Sequence, residues 1–133
     1  AGETDFKTYL KAIQEEINQK NGIVKDDPLD FKSYFELGLA YLALGRHEEE
    51  VRAYKEALIL NPKYAQAHYY ISMAYDYMKE GVKAIYHMQK ALDLYATKRN
   101  HRKIRTTQRQ LKRFYMSYPN EAGSIISEKT QNH

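Results

Sequence analysis

Apolar residues recur every three or four positions along most of the chain, the period of helices with one buried face. Phe6, Leu10, Ile13 and Ile17 form one such stripe and predict a helix over 4–21. Thr4-Asp5 offers its cap and Asn21-Gly22 its stop, since glycine takes the left-handed conformation that closes a helix. Asp26-Asp27-Pro28 then marks a turn. A helix is expected over 31–44, turned by Gly45, and a second over 48–60, ended by Asn61-Pro62 because proline disfavours a helical residue before it. The same alternation predicts helices over 65–79 and 82–94, broken at Gly81, and a last one over 98–118, stopped before Pro119. The polar remainder, 119–133, is expected to be a frayed tail. The expected class is all-α, a single domain over 1–133.

The middle of the chain matches itself at an offset of 34 residues. Gly38 falls on Ser72, Ala40 on Ala74, Tyr41 on Tyr75, Val51 on Ile85, Ala57 on Ala91, Leu58 on Leu92 and Leu60 on Leu94. A helix–turn–helix period of 34 residues is the mark of one repeat architecture. The segment from Phe31 through Tyr34, Leu37, Gly38, Tyr41 and Gly45 to Tyr54, Ala57 and Asn61-Pro62 resembles the tetratricopeptide repeat (TPR) pattern. Small residues such as Gly38 and Ala57 let helices approach, and Leu37, Tyr41 and Tyr54 fill the space around them. The resemblance covers 31–62 as a first repeat and 65–95 as a second. Glu50 stands where the family usually has alanine, and Lys79 replaces the turn glycine, with Gly81 two residues later. The resemblance implies hairpins stacked into a short right-handed superhelix. The flanks would be an extra N-terminal helix and a C-terminal capping helix, whose outer face should be polar.

What the resemblance implies about function is a non-catalytic protein-interaction module, a scaffold or adaptor. In TPR arrays the first helix of each pair lines the concave face. Carried over by position, that face takes Phe35, Leu39 and Leu42 from the first repeat and Tyr69, Tyr70, Met73 and Tyr77 from the second. This is an apolar, aromatic groove for a peptide or helix of a partner protein. The family's carboxylate clamp for an acidic chaperone tail is disfavoured, because Phe35, Leu39 and Tyr70 stand at its positions. A rival reading is self-association into a homo-oligomer, with a neighbour's helix in the groove. The chain's own N-terminal stripe is another candidate to fill it.

Charge alters the picture at one end. The net +4 conceals eight Lys or Arg between Leu94 and Asn120 without one acid, against a balance of −4 elsewhere. On the last helix Ile104, Leu111, Tyr115 and Tyr118 share a docking face, and Arg102, Arg105, Arg109 and Lys112 form a basic stripe on another side. The stripe suits an acidic protein partner. Binding to nucleic acid or an anionic membrane surface is a weaker expectation, because the stripe lacks interleaved exposed aromatics apart from Phe114 and no RNA-binding motif occurs.

Composition narrows the chemistry. With no cysteine, disulfides and thiolate metal sites are excluded. The thirteen tyrosines suit half-buried surfaces, where a ring packs and its hydroxyl reaches water. None of the five histidines is paired with another at i,i+4. His68 is expected in the core or its rim, and His87 facing outward. No phosphate loop, nucleophile elbow or Cys–His arrangement occurs. The expectation is therefore no enzyme, no cofactor, no metal and no small-molecule substrate. No run of about 20 apolar residues spans a membrane. The expected setting is soluble and cytoplasmic, with periplasmic or membrane-associated placement open should a leader have been removed.

Overall fold

The computed structural model describes residues 2–123, and for 2–4 the backbone alone. Six helices follow in order: α1 Gly2–Asp26, α2 Phe31–Ala43, α3 His47–Leu60, α4 Ala65–Tyr77, α5 Gly81–Thr97 and α6 His101–Ser117. Five further helical residues cover 119–123. Pro119 opens them behind Tyr118, where a missing N–H costs nothing. The expected tail is thus helical at its start; 124–133 and the Thr4 side chain lie outside the described residues. Among the described residues no helix is long and apolar enough to cross a membrane.

The chain divides into two units at Pro62–Lys63, the boundary between the repeats. The first holds α1, α2 and α3; the second holds α4, α5 and α6.

In the first unit α1 runs through the expected stop at Asn21-Gly22 and ends at Asp26. Gly22 has nothing within 4 Å of where a Cβ would stand, so no close packing singles it out as a turn. Proline at 28 supplies the stop instead. Of the N-terminal stripe, Ile13 and Ile17 are buried against Leu37, Ala40 and Ala53, with Tyr41 and Leu44 packed alongside. Phe6 does not join them and is 60% exposed. Asp30 caps α2: its carboxylate accepts from the Ser33 N–H at 3.1 Å and the Ser33 hydroxyl at 2.7 Å. These bonds, the hydroxyl's foremost, hold the Asp30 carboxyl below its ordinary value. Glu48, Glu49 and Glu50 fill the first turn of α3, where the helix dipole favours anions.

Three helix ends close alike. Gly45, Lys79 and Arg99 adopt positive φ (70°, 59° and 55°). The next N–H then reaches back to a tyrosine carbonyl: Arg46 to Tyr41 at 3.0 Å, Glu80 to Tyr75 at 2.9 Å and Asn100 to Tyr95 at 3.1 Å. The second hairpin therefore turns at Lys79, not at Gly81. Gly81 is the first residue of α5, and a Cβ there would stand 2.5 Å from Cγ of Tyr118.

Packing inside each hairpin follows the repeat. In the first, the Tyr54 ring sits over Gly38, with no room for a Cβ between them. In the second, Ser72 and Met88 take these two places, both fully buried, and the Ser72 hydroxyl donates to the Ala84 carbonyl at 2.5 Å. Helix α6 packs on α5 through Thr107, Leu111 and Phe114, with Ile104 against Ala91 and Tyr95. Tyr115, expected on that face, is only half-buried, because the buried stripe is centred one residue earlier.

Candidate functional site

The residues expected to line a binding face divide between α2 and α4. On α2, Leu39 and Leu42 are half-buried. Phe35 is 4% exposed, with its ring centroid 5.6 Å from that of Tyr54. It braces the face from within the hairpin and offers little area to a ligand. On α4, Tyr69, Tyr70 and Met73 are half-buried and Tyr77 is 64% exposed. Tyr69 and Tyr70 meet edge to face at 5.8 Å. Burial pushes the Tyr69 phenol up, against a hydrogen bond with Gln110 of α6 that draws it down.

Helix α6 bears on this face. Nη2 of Arg113 lies 3.1 Å from Oδ2 of Asp76 and 4.0 Å from Sδ of Met73. The Tyr118 hydroxyl donates to Oδ1 of Asp76 at 2.7 Å. Burial, and then that bond, pushes the Tyr118 phenol up to about 12. Asp76 thus holds two groups from the end of α6, and Met73 and Tyr69 flank the join.

A second surface in the first unit escaped the sequence reading. A cleft of about 530 Å³ opens between α2 and α3, lined by Tyr34, Leu37, Tyr41, Arg52, Glu56 and Ile59 among others. Leu37 and Tyr41 occupy positions read as packed core. Ile59, 70% exposed at the end of α3, is the signal that the surface continues outward.

Two polar clusters were also unforeseen as contacts. Glu50 is 1% exposed; it accepts from the Tyr54 hydroxyl at 2.7 Å and lies 2.8 Å from Nδ1 of His47. Burial pushes its carboxyl up, and the two hydrogen bonds only partly offset this. His87 does not face outward. Its Nδ1 is 3.1 Å from Nδ1 of His68, and its ring lies between those of Tyr75 and Tyr86. One of the two imidazoles must donate in that contact. Among the described residues no group of three or more His, Cys, Asp or Glu is arranged to hold a metal ion.

The expected basic stripe stands in the open: Arg102, Arg105, Arg109 and Lys112 are all exposed on α6. Phe114, read as an aromatic beside it, is fully buried, with the Arg113 guanidinium 4.7 Å from its ring centroid.

No protein-family model matches the chain. A tetratricopeptide repeat and J domain-containing co-chaperone, DNJ1 of Cryptococcus neoformans, is 37% identical over 43 residues, 32% of this chain and 8% of that protein. The chain thus spans under a tenth of that relative's length. The translocator chaperone SycD of Yersinia enterocolitica superposes with a TM-score of 0.76 at 15% identity, covering 86% of this chain and 80% of its own. MamA of MSR-1 gives 0.61 at 28% identity, over 68% of this chain and 53% of its own. The fold is that of TPR-type helical-repeat proteins, and the resemblance read from the residues holds in both sequence and structure.

Proposed function

We propose that the chain is a non-catalytic protein-interaction module that binds a peptide or helix of a partner through the first helices of its hairpins. The carrying observation is the exposed and half-buried apolar residues on those helices, Leu39 and Leu42 on α2 and Tyr70, Met73 and Tyr77 on α4. Rings and branched chains left partly wet on a rigid helix are what a partner's apolar side chains cover. The fold has precedent in this role. SycD has been solved in complex with a peptide of the translocator YopD, and PcrH with the chaperone-binding region of PopD. At 16% and 14% identity these speak for the fold's capacity and not for a shared partner.

Selection from a random peptide library on the immobilised chain tests the reading. Enriched peptides should carry apolar residues at helical or alternate spacing. Tyr70→Glu and Tyr77→Glu should weaken their binding about 10- to 100-fold each, since covering one such ring contributes about 1.5–3 kcal/mol. Lys7→Glu on α1 serves as the charge control. Peptides that bind the tyrosine variants as tightly as the wild type would refute the assignment.

A further inference from the structure

We infer that the outer face of α6 is a docking surface for an acidic polypeptide segment, a helix with carboxylates every three or four residues. The inference stands apart from the α2 and α4 faces and does not need them.

Arg102, Arg105, Arg109 and Lys112 lie three, four and three positions apart, on successive turns of one helix side. At 1.5 Å per residue the stripe is about 15 Å long. All four are exposed, and none forms an ion pair with a carboxylate among the described residues. Arg113, one position past Lys112, is neutralised by Asp76.

Local physics opposes this arrangement. Like charges three and four positions apart repel. Arg102 and Lys103 lie in the first turn of α6, where the dipole disfavours cations, and that turn has no acid. A helix serving only to cover α5 would do better with mixed charges. The stripe costs α6 only a little stability per pair, which an anionic partner would offset.

The kind of anion follows from the neighbouring residues. Insertion into a membrane would use the helix's apolar side, but Thr107, Leu111 and Phe114 are already buried, and the exposed Met116 by itself is a small apolar area. Single-stranded nucleic acid needs exposed rings on which bases stack; on α6 Phe114 is inside and Tyr115 is half-buried. A short helix with carboxylates on successive turns matches the stripe in both length and period.

Fluorescence anisotropy with a labelled helical peptide tests this. The peptide bears glutamates at i, i+3, i+4 and i+7, and a scrambled peptide of the same composition is the comparison. The full chain should bind the patterned peptide at least about tenfold more tightly than the scrambled one, and lose about tenfold between about 50 and 200 mM salt. Arg105→Glu/Arg109→Glu should abolish binding, and Arg105→Gln/Arg109→Gln should weaken it without placing new anions on the helix. Lys7→Glu/Lys11→Glu on α1 should leave it intact. Circular dichroism checks that each variant keeps its helices; if the glutamate pair does not, the glutamine pair decides. Equal binding of patterned and scrambled peptides, or of the glutamine pair and the wild type, would overturn the inference. So would tighter binding to single-stranded RNA or to phosphatidylserine vesicles.

Discussion

Two glycines in the first unit should answer the same substitution with opposite signs. Gly22 lies inside α1 with nothing within 4 Å of the point a methyl would occupy. Gly22→Ala removes backbone freedom from the unfolded chain and adds helix propensity, together about 0.5–1 kcal/mol of stability. Gly38 lies inside α2, where the same methyl would stand 2.5 Å from Cδ1 and 2.9 Å from Cζ of Tyr54. The ring has little room to withdraw. It is fully buried, its hydroxyl is bonded to Glu50 at 2.7 Å, and Phe35 stands 5.6 Å away on another side. The propensity gain of about 1 kcal/mol then meets an overpacking cost of about 1–3 kcal/mol. Weakening the buried hydroxyl bond adds about 1–2 kcal/mol more. The net effect is a loss of about 2 kcal/mol. Urea unfolding followed by far-ultraviolet circular dichroism reads both variants. At a slope of about 1–3 kcal/mol/M, the midpoint should fall by about 1 M for Gly38→Ala and rise by a few tenths for Gly22→Ala. In a Tyr54→Leu background, which removes the ring, the Gly38→Ala penalty should shrink. If Gly38→Ala stabilises as Gly22→Ala does, or if Tyr54→Leu leaves its penalty unchanged, the close approach of α2 and α3 is not the reason for glycine at 38.

Four further outcomes are expected. Glu50→Ala takes an acceptor from the buried Tyr54 hydroxyl and should cost about 2–4 kcal/mol, and adding Tyr54→Phe should cost less than the sum, a coupling that equilibrium unfolding of the double-mutant cycle would measure. Because burial raises the Glu50 carboxyl, its contribution to stability is present below its ordinary value and lost as pH rises through the raised one. Glu50→Gln should therefore remove part of the change in urea midpoint between mildly acidic and neutral pH; an unchanged pH profile would contradict this. Burial pushes Tyr95 up to about 12, and burial with the Asp76 bond does the same for Tyr118. Their favourable contribution is complete below the ordinary tyrosine value of about 10 and disappears towards pH 12, so ultraviolet titration should show phenols still ionising near pH 12, and Tyr95→Phe with Tyr118→Phe should reduce that late phase. Asn100 caps α6 through a bond from the Lys103 N–H at 3.2 Å, so Asn100→Ala should cost about 1 kcal/mol and speed hydrogen exchange in the first turn of α6.

The repeats were legible because their physics is local and periodic. Gly38, Ala57 and Asn61-Pro62 announce a close approach, a second one and a stop, and the structure uses each as the spacing implies. Lys79 was less legible, because a lysine in the left-handed region costs about 1–2 kcal/mol and reads as helix from propensity alone. Its conformation is set by the Glu80 N–H returning to Tyr75, a bond between main-chain groups that no side chain announces. A main-chain turn of the same kind sets the start of α6 at His101 and not at the expected 98. Phe31 to Ala65 is a step of 34 residues, but Ala65 to His101 is 36. Without a proline at the end of the second repeat, α5 runs to Thr97, and Arg99 then makes the turn. A comparison held at 34 therefore sets α6 against the wrong residues, and its buried Thr107, Leu111 and Phe114 do not line up with the repeat.

The site was legible to a different depth, and Phe35 shows why. Repeat position places a residue on a helix face, but whether that face is open depends on what the neighbouring side chains leave uncovered. Phe35 and Tyr69 hold the same position in successive repeats, 34 residues apart. Phe35 meets a tyrosine across its hairpin, at 54, and is buried. In the second repeat the place of Tyr54 is taken by Met88, a flexible chain with no hydroxyl to anchor, and Tyr69 stays half-exposed with a bond to Gln110. One exchange at the partner position, tyrosine for methionine, thus accompanies a change in the first-helix aromatic from core to rim. Met88→Tyr alone would not reverse it, because Ser72 stands where Gly38 makes room; Met88→Tyr with Ser72→Gly recreates the first hairpin's geometry. If the partner residue is what draws the ring inward, the double substitution should lower the solvent accessibility of Tyr69, read as slower chemical nitration at that residue. Nitration at the wild-type rate would show that Tyr69 is held at the rim by α6, through Gln110, and not released by its own hairpin.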